Sequence, residues 1–480
     1  MIIKVKRNVN DDSKKHDHLH LSRRDFIARG VITGAMTVAL PKILMGGLVK
    51  DAVAAATCPT PVRTPGGMSH VLFEGGMTAG AYILGDIPSQ IAASSATAAA
   101  RYGINQNMLK LGANFNVNAD SIFWKVLQQT GMDLGYSASQ WRVALNKVSA
   151  GAHYGPFNQD DGGAAGTGLL GRTAAFKQTP VNALEIGVNH KLVGFANGMP
   201  VASVRGQPGV ADIGKVFSLN PSNLTNAQTM ANSAAAAASL SDLFSSMFNT
   251  KGRTGGTTAV ANATCGFAGD SVLADPAYGS ALFNPAAIPA LSPLVAGGKL
   301  TTGEQAYLAA FYNAAIGLTA GNGIQEGGFD YHGQTPQNIG AATYRVARIV
   351  GMWLAASDKA GANATLSIVS NGQAIAKGFT SAMINGVTGN VQNADGDAGG
   401  NFNGAALLMF SPNGAAPGLK NTGAFDTTNG DVRSTIGAEL AIAGIYASAI
   451  SFIKGSLSDS DRVRLGLATA ADFKNVSLLA

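Results

Sequence analysis

In the segment Gly327-Gly328-Phe329-Asp330-Tyr331-His332-Gly333-Gln334 a carboxylate and an imidazole stand two residues apart. On extended backbone, positions i and i+2 share a face, so Asp330 and His332 have the spacing to hold one metal ion between them. The same two groups in a loop would serve only as hydrogen-bonding partners. Asp160-Asp161, near His153, reads either as a cation-binding pair or as a solvated turn. Asp120-Ser121 has a hydroxyl but no neighbouring base to activate it, which favours a helix N-cap over a nucleophile. The Gly-rich stretch Gly162 to Gly171 lacks the Lys and Ser/Thr ending of a phosphate-binding loop. His70 and His190 stand beside apolar runs and read as hydrogen-bonded residues at strand ends.

These groups need a frame. Ser69-His70-Val71-Leu72-Phe73 is a short apolar run ending at Gly75-Gly76, which predicts a buried strand entering a tight loop. Ala183 to Val188, Thr365 to Ser370 and Ala405 to Phe410 predict further strands. Helices are expected between them. Leu224 to Phe248 is Ala-rich with apolar residues at helical spacing; Thr301-x-x-Glu304 is a capping box, followed by Tyr307, Leu308, Phe311, Ala315 and Leu318 on one face. Val346, Ile349, Val350, Trp353 and Leu354 repeat that spacing, as does Ile436 to Ile453. Strands alternating with helices predict an α/β layered domain with a largely parallel central sheet flanked by helices. Asn385 to Asn403, rich in Gly and Asn, reads as a long loop. No internal repeat is present.

Ahead of this domain lies a segment of another kind. Ser22-Arg23-Arg24-Asp25-Phe26-Ile27 precedes an apolar run, Val31 to Leu40, and a small-residue end at Ala54-Ala55-Ala56. Together these resemble a bacterial twin-arginine export signal, which implies engagement of the twin-arginine export machinery by Arg23 and Arg24 and cleavage near Ala56. The apolar run is about a dozen residues, short of the roughly 20 that span a bilayer as an anchor. The expected organisation is a signal peptide over 1–56, a linker over 57–68 and one domain over 69–480 with a helical insertion around 221–320. Periplasmic or extracellular location follows from the same signal.

The charge of the whole chain is +6, but ten of its 34 Lys and Arg and five of its 28 Asp and Glu precede Thr57, leaving 24 against 23 after it. A near-neutral chain without a basic run does not neutralise phosphates, so nucleic acid is excluded as a partner. The two cysteines, Cys58 and Cys265, would both reach an oxidising compartment. There they either pair, closing a long loop worth about 5 kcal/mol at most, or remain two small apolar residues.

The order of short segments adds a resemblance. Val71 to Thr78, Ala152-His153-Tyr154, Gly168-Leu169-Leu170-Gly171-Arg172 through Leu184 to Val188, Gly328 to His332, Ile368 to Gly372 and Asp431-Val432-Arg433 follow one another. That order resembles a family of twin-arginine-exported bacterial proteins related to the alkaline phosphatase and sulfatase superfamily, whose enzymes share a bimetallic hydrolase core. The resemblance implies an alkaline-phosphatase-like fold with Asp330, His332 and His153 among the metal ligands. It also implies a phosphate- or sulfate-ester hydrolase in which a bound water or Thr78 attacks. The departures imply otherwise: Thr78 stands where the family has a strand-end Asp, Asn371 where it has Glu, and Phe402-Asn403 where it has Asp-His. Two close dications need several anionic ligands to offset their charge. The expectation is therefore a kept scaffold with a degenerate site, holding at most a single divalent metal and serving a non-catalytic binding or assembly role with an envelope partner. The alternative is a one-metal ester hydrolase.

Overall fold

The structure is a computed structural model that describes residues 65–73, 76–77, 96–101, 107–154, 185–188, 194–196, 199–201, 284–317, 321–331, 333–370, 375–395, 405–423, 438–457, 459, 462 and 476–479. In chain order the strands are β1 (Gly67–Phe73), β2 (Met108–Leu111), β3 (Phe115–Asn118), β4 (Val148–Tyr154), β5 (Glu185–Val188), β6 (Gly194–Ala196), β7 (Met199–Val201), β8 (Gly321–Glu326), β9 (Ala364–Ser370), β10 (Ile375–Ile384), β11 (Val387–Asp395), β12 (Ala405–Phe410) and β13 (Thr422–Gly423). The helices are α1 (Ala96–Arg101), α2 (Ile122–Asp133), α3 (Ala138–Asn146), α4 (Ser292–Val295), α5 (Thr302–Ala315), α6 (Pro336–Ala360) and α7 (Ala438–Lys454).

Seven strands form the central sheet in the order β13-β4-β12-β9-β1-β8-β5. Six run in one direction; β12 alone is antiparallel, to β4 on one side and β9 on the other. The chain is thus mixed α/β with a mostly parallel sheet flanked by helices. Both faces are covered, which explains the unbroken apolar run of β12, where all six residues are buried. Ala406, Leu408 and Phe410 join the core beneath α2, α3, α5 and α6, while Ala405, Leu407 and Met409 join a second core beneath α7 and residues 476–478. Alternation along the strand sends successive side chains to opposite layers.

The helix signals in the sequence act as expected. Thr301 Oγ1 accepts from the Glu304 amide while Glu304 Oε2 accepts from the Thr301 amide, closing the capping box of α5. Ser121 Oγ accepts from the Trp124 amide at 3.1 Å and caps α2, so this hydroxyl begins a helix. α6 starts at a Thr335 cap with Pro336 in the first turn and stops at Gly361, whose φ of 60° is left-handed. Val346, Ile349, Val350, Trp353 and Leu354 are all buried on it. α6 meets α2 at a close approach: a Cβ added at Gly351 would lie 2.4 Å from Thr130 Cγ2. Gly351→Ala should therefore lower stability by about 1–2 kcal/mol despite the better helix propensity of alanine, and Thr130→Ser should restore part of the loss. Denaturant melts decide this, and a Gly351→Ala protein as stable as wild type would refute the close approach.

One expectation is corrected. Asn385 to Asn403 does not form a loop throughout, because β10 and β11 pair in a two-residue-turn hairpin that takes in 387–395. Asn385 (φ 49°) and Gly386 (φ 79°) make the turn. Both central residues of such a turn need positive φ, which Asn-Gly adopts with little strain. Arg23, Arg24, Cys58, Cys265, Thr78, His332 and the helix expected over Leu224 to Phe248 lie outside the described residues, as does most of the span 221–320 expected as an insertion.

Candidate functional site

Parallel strands that end together place their following loops along one edge, and in open α/β sheets ligands bind in the crevice outside that edge. Here β1, β4, β8 and β9 end at the same edge at which the antiparallel β12 begins. Glu326 of β8, Phe73 of β1 and Ser370 of β9 stand in one row across three strands. Further along, His153 of β4 opposes Ala405 of β12 and Thr422 of β13. The topology thus gathers at one edge the ends of the segments that the sequence singled out at Phe73, His153, Asp330, Ser370 and Ala405.

His153 is 1% exposed, and its Nδ1 lies 2.9 Å from Thr422 Oγ1. Burial holds its pKa down at about 4, so the imidazole is neutral at neutral pH. Neutral imidazole is the form a metal binds, but here the ring also ties the short strand β13 to β4. In sheet order β4 is four strands from β8, on the order of 19 Å at about 4.8 Å per step. Asp330 follows β8 by four residues and is exposed, between the buried Phe329 and Tyr331. The Tyr331 amide donates to Gly76 O at 3.0 Å, which lays this loop over the end of β1. A shared ion would therefore require both His153 and Asp330 to reach inward across β9 and β12. Among the described residues no group of three His, Cys, Asp or Glu side chains could hold a metal ion.

One firmly held group at this edge, among the described residues, is one that sequence reasoning missed. Glu326 is 4% exposed; its Oε1 accepts from the Tyr307 hydroxyl, and its Oε2 lies 3.3 Å from Arg345 Nη1. Arg345 Nη2 donates to the carbonyls of Gly327 at 3.0 Å and Gly328 at 3.3 Å, and the guanidinium sits 4.3 Å over the Phe329 ring. Phe329 in turn packs 4.2 Å from Phe73. Gly328 needs its left-handed φ of 79°, and a Cβ there would crowd Arg345 Nη2. Much of the Gly-Gly-Phe motif is thereby explained as a clamp that fixes the loop after β8. Tyr307 and Arg345 each lie 19 residues from Glu326 in sequence, so no local pattern reveals the cluster.

His70, expected at a strand end, is instead central in β1, where its Nδ1 lies 2.9 Å from Ser367 Oγ and its ring packs on Tyr446. It is hydrogen-bonded as expected and belongs to the core beneath α7. No helix among the described residues is long and apolar enough to cross a membrane. In comparisons with protein-family models, with curated proteins and with solved structures, no match to the chain was found.

Proposed function

We propose that this chain is an exported periplasmic or envelope protein that uses an alkaline-phosphatase-like scaffold for binding or assembly, without ester hydrolysis. The observation that carries the reading is the employment of the titratable groups at the sheet edge. Glu326 balances Arg345 and accepts from Tyr307, while His153 is buried between strands and joined to Thr422. Both serve the fold.

The donor set does not fit a two-metal centre. Two dications call for several carboxylates with charge to give, and the charge of Glu326 is already matched by Arg345. The sequence supplies Thr78, Asn371, Phe402 and Asn403 where the resembling family has ionisable groups. Amide and phenyl groups offer a dication little or nothing in their place. The mostly parallel sheet, with four strands ending at one edge, supports the scaffold half of the proposal, and the twin-arginine segment supports the export half.

The test is made on protein recovered from fractionated cells without chelator. Elemental analysis should find less than one tightly held transition metal per chain, and aryl phosphates and sulfates should turn over no faster than background. The double variant Arg23→Lys plus Arg24→Lys should remain in the cytoplasm at full length. Two metals per chain with hydrolysis abolished by Asp330→Ala or His332→Ala would establish a hydrolase instead. Shorter periplasmic protein from the double variant would remove the export claim.

A further inference from the structure

We propose that a groove at the opposite end of the sheet from the site above binds a small organic carboxylate with an aromatic or aliphatic body. The groove encloses about 350 Å³, within the roughly 300–1,000 Å³ usual for small-molecule sites. It lies among the turn that follows α2, the helices α3 and α4, and the last turn of α6, where Asp358 and Lys359 precede β9.

The Tyr136 ring is among the groups lining the groove, 8% exposed and fixed in advance. Trp141 packs against it with centroids 5.1 Å apart, and the Tyr136 hydroxyl donates to Asp358 Oδ2 at 3.2 Å. A surface already in place costs a ligand little ordering. Burial, then the charge of Asp358 and the hydrogen bond to it, raises the phenol pKa, so the ring adds no negative charge. Val143, 58% exposed, and the exposed Pro293 give the apolar part of the lining, with Leu134 and Leu294 buried behind them and the exposed Gln140 adding a polar side chain.

Charge decides which apolar ligand fits. Asp358, the carboxylate lining the groove, is already matched by Lys147 at 3.1 Å as well as by Tyr136. Lys359 holds its ammonium 5.1 Å over the Tyr136 ring, and among the described residues no carboxylate lies within ion-pair distance of it. Its position in the last turn of α6 is the favourable end of the helix dipole for a cation. The groove therefore offers some exposed apolar area and, in Lys359, a cation without a carboxylate partner among the described residues. A bare inorganic anion would leave the walls uncovered, an uncharged hydrocarbon would leave Lys359 unmatched, and a cation would be repelled. A carboxylate on an apolar body satisfies both features.

The inference is independent of the function proposed above, because it concerns a different edge of the sheet and none of the same residues. Calorimetric titration of the purified protein with 3-phenylpropionate, against 3-phenylpropanol and acetate, tests it. The expected result is saturable binding of 3-phenylpropionate, at least tenfold tighter than either control, weakening as salt is raised. Lys359→Met, at an exposed position that leaves the fold intact, should erase the preference over the alcohol, and Val143→Asp should weaken carboxylate binding at least tenfold. Absence of saturable binding at millimolar concentration, or an unchanged preference in Lys359→Met with native melting behaviour, overturns the proposal.

Discussion

Arg348→Ala is expected to destabilise the protein by about 3 kcal/mol, at the lower end of the 3–5 kcal/mol that follows removal of one partner from a buried ion pair. Arg348 is 4% exposed on α6; its Nε lies 2.5 Å from Glu304 Oε1 on α5, and its Nη1 lies 2.5 Å from Asp133 Oδ2 on α2. Burial works against the charged guanidinium, but the hydrogen bonds and charges of Glu304 and Asp133 outweigh it, and the net pKa shift is upward. Alanine would leave two carboxylates facing each other without the cation. Their side chains are 16% and 17% exposed, so water reaches them in part and moderates the loss. Neutralising them in the triple variant Arg348→Met, Glu304→Gln, Asp133→Asn should recover much of the stability, since the glutamine keeps the capping box with Thr301. Denaturant unfolding measures both. A loss under 1 kcal/mol for Arg348→Ala would show that the three helices do not depend on this triad.

Acidification should cost stability through His153. Its pKa is about 4 in the folded chain, against about 6.5 when unfolded. Between these values the unfolded state binds the extra proton, so stability falls as pH drops from about 6.5 to about 4, and below that this group contributes no further change. The difference of 2.5 units corresponds to about 3 kcal/mol. Carboxylates also titrate in this range, so the informative quantity is the comparison with His153→Gln, which keeps a polar partner for Thr422 without a titrating ring. The wild type should lose about 3 kcal/mol more than this variant between pH 7 and pH 4. Parallel pH profiles would mean that the imidazole is not held neutral by burial.

What the sequence alone determined is mostly local. The strands at Ser69 to Phe73, Thr365 to Ser370 and Ala405 to Phe410 are short apolar runs buried on both faces, and such runs are visible without partners. The caps at Thr301 and Ser121 are visible because a capping hydroxyl and its amide lie three residues apart. The β10–β11 hairpin was legible too, in Asn385-Gly386, but the surrounding Gly and Asn content suggested a loop. β8 was hidden by its composition: Gly-Asn-Gly-Ile-Gln-Glu has a single apolar side chain yet occupies a place between β1 and β5.

Tertiary structure decided what no run of residues contains. Sheet order sets His153 on β4 four strands from β8, the strand that leads to Asp330, although the resemblance implies both as ligands of one site. Chain separation of 19 residues hid the joining of Glu326 to Tyr307 and Arg345, and separations of 44 and 215 hid the joining of Arg348 to Glu304 and Asp133. The physical reason is common to all of these. A side chain's periodicity and its immediate neighbours fix its local conformation, whereas the charge it must balance is met only when distant elements pack and exclude water. Whether a carboxylate serves a ligand or an arginine is settled by that packing, not by its own place in the sequence.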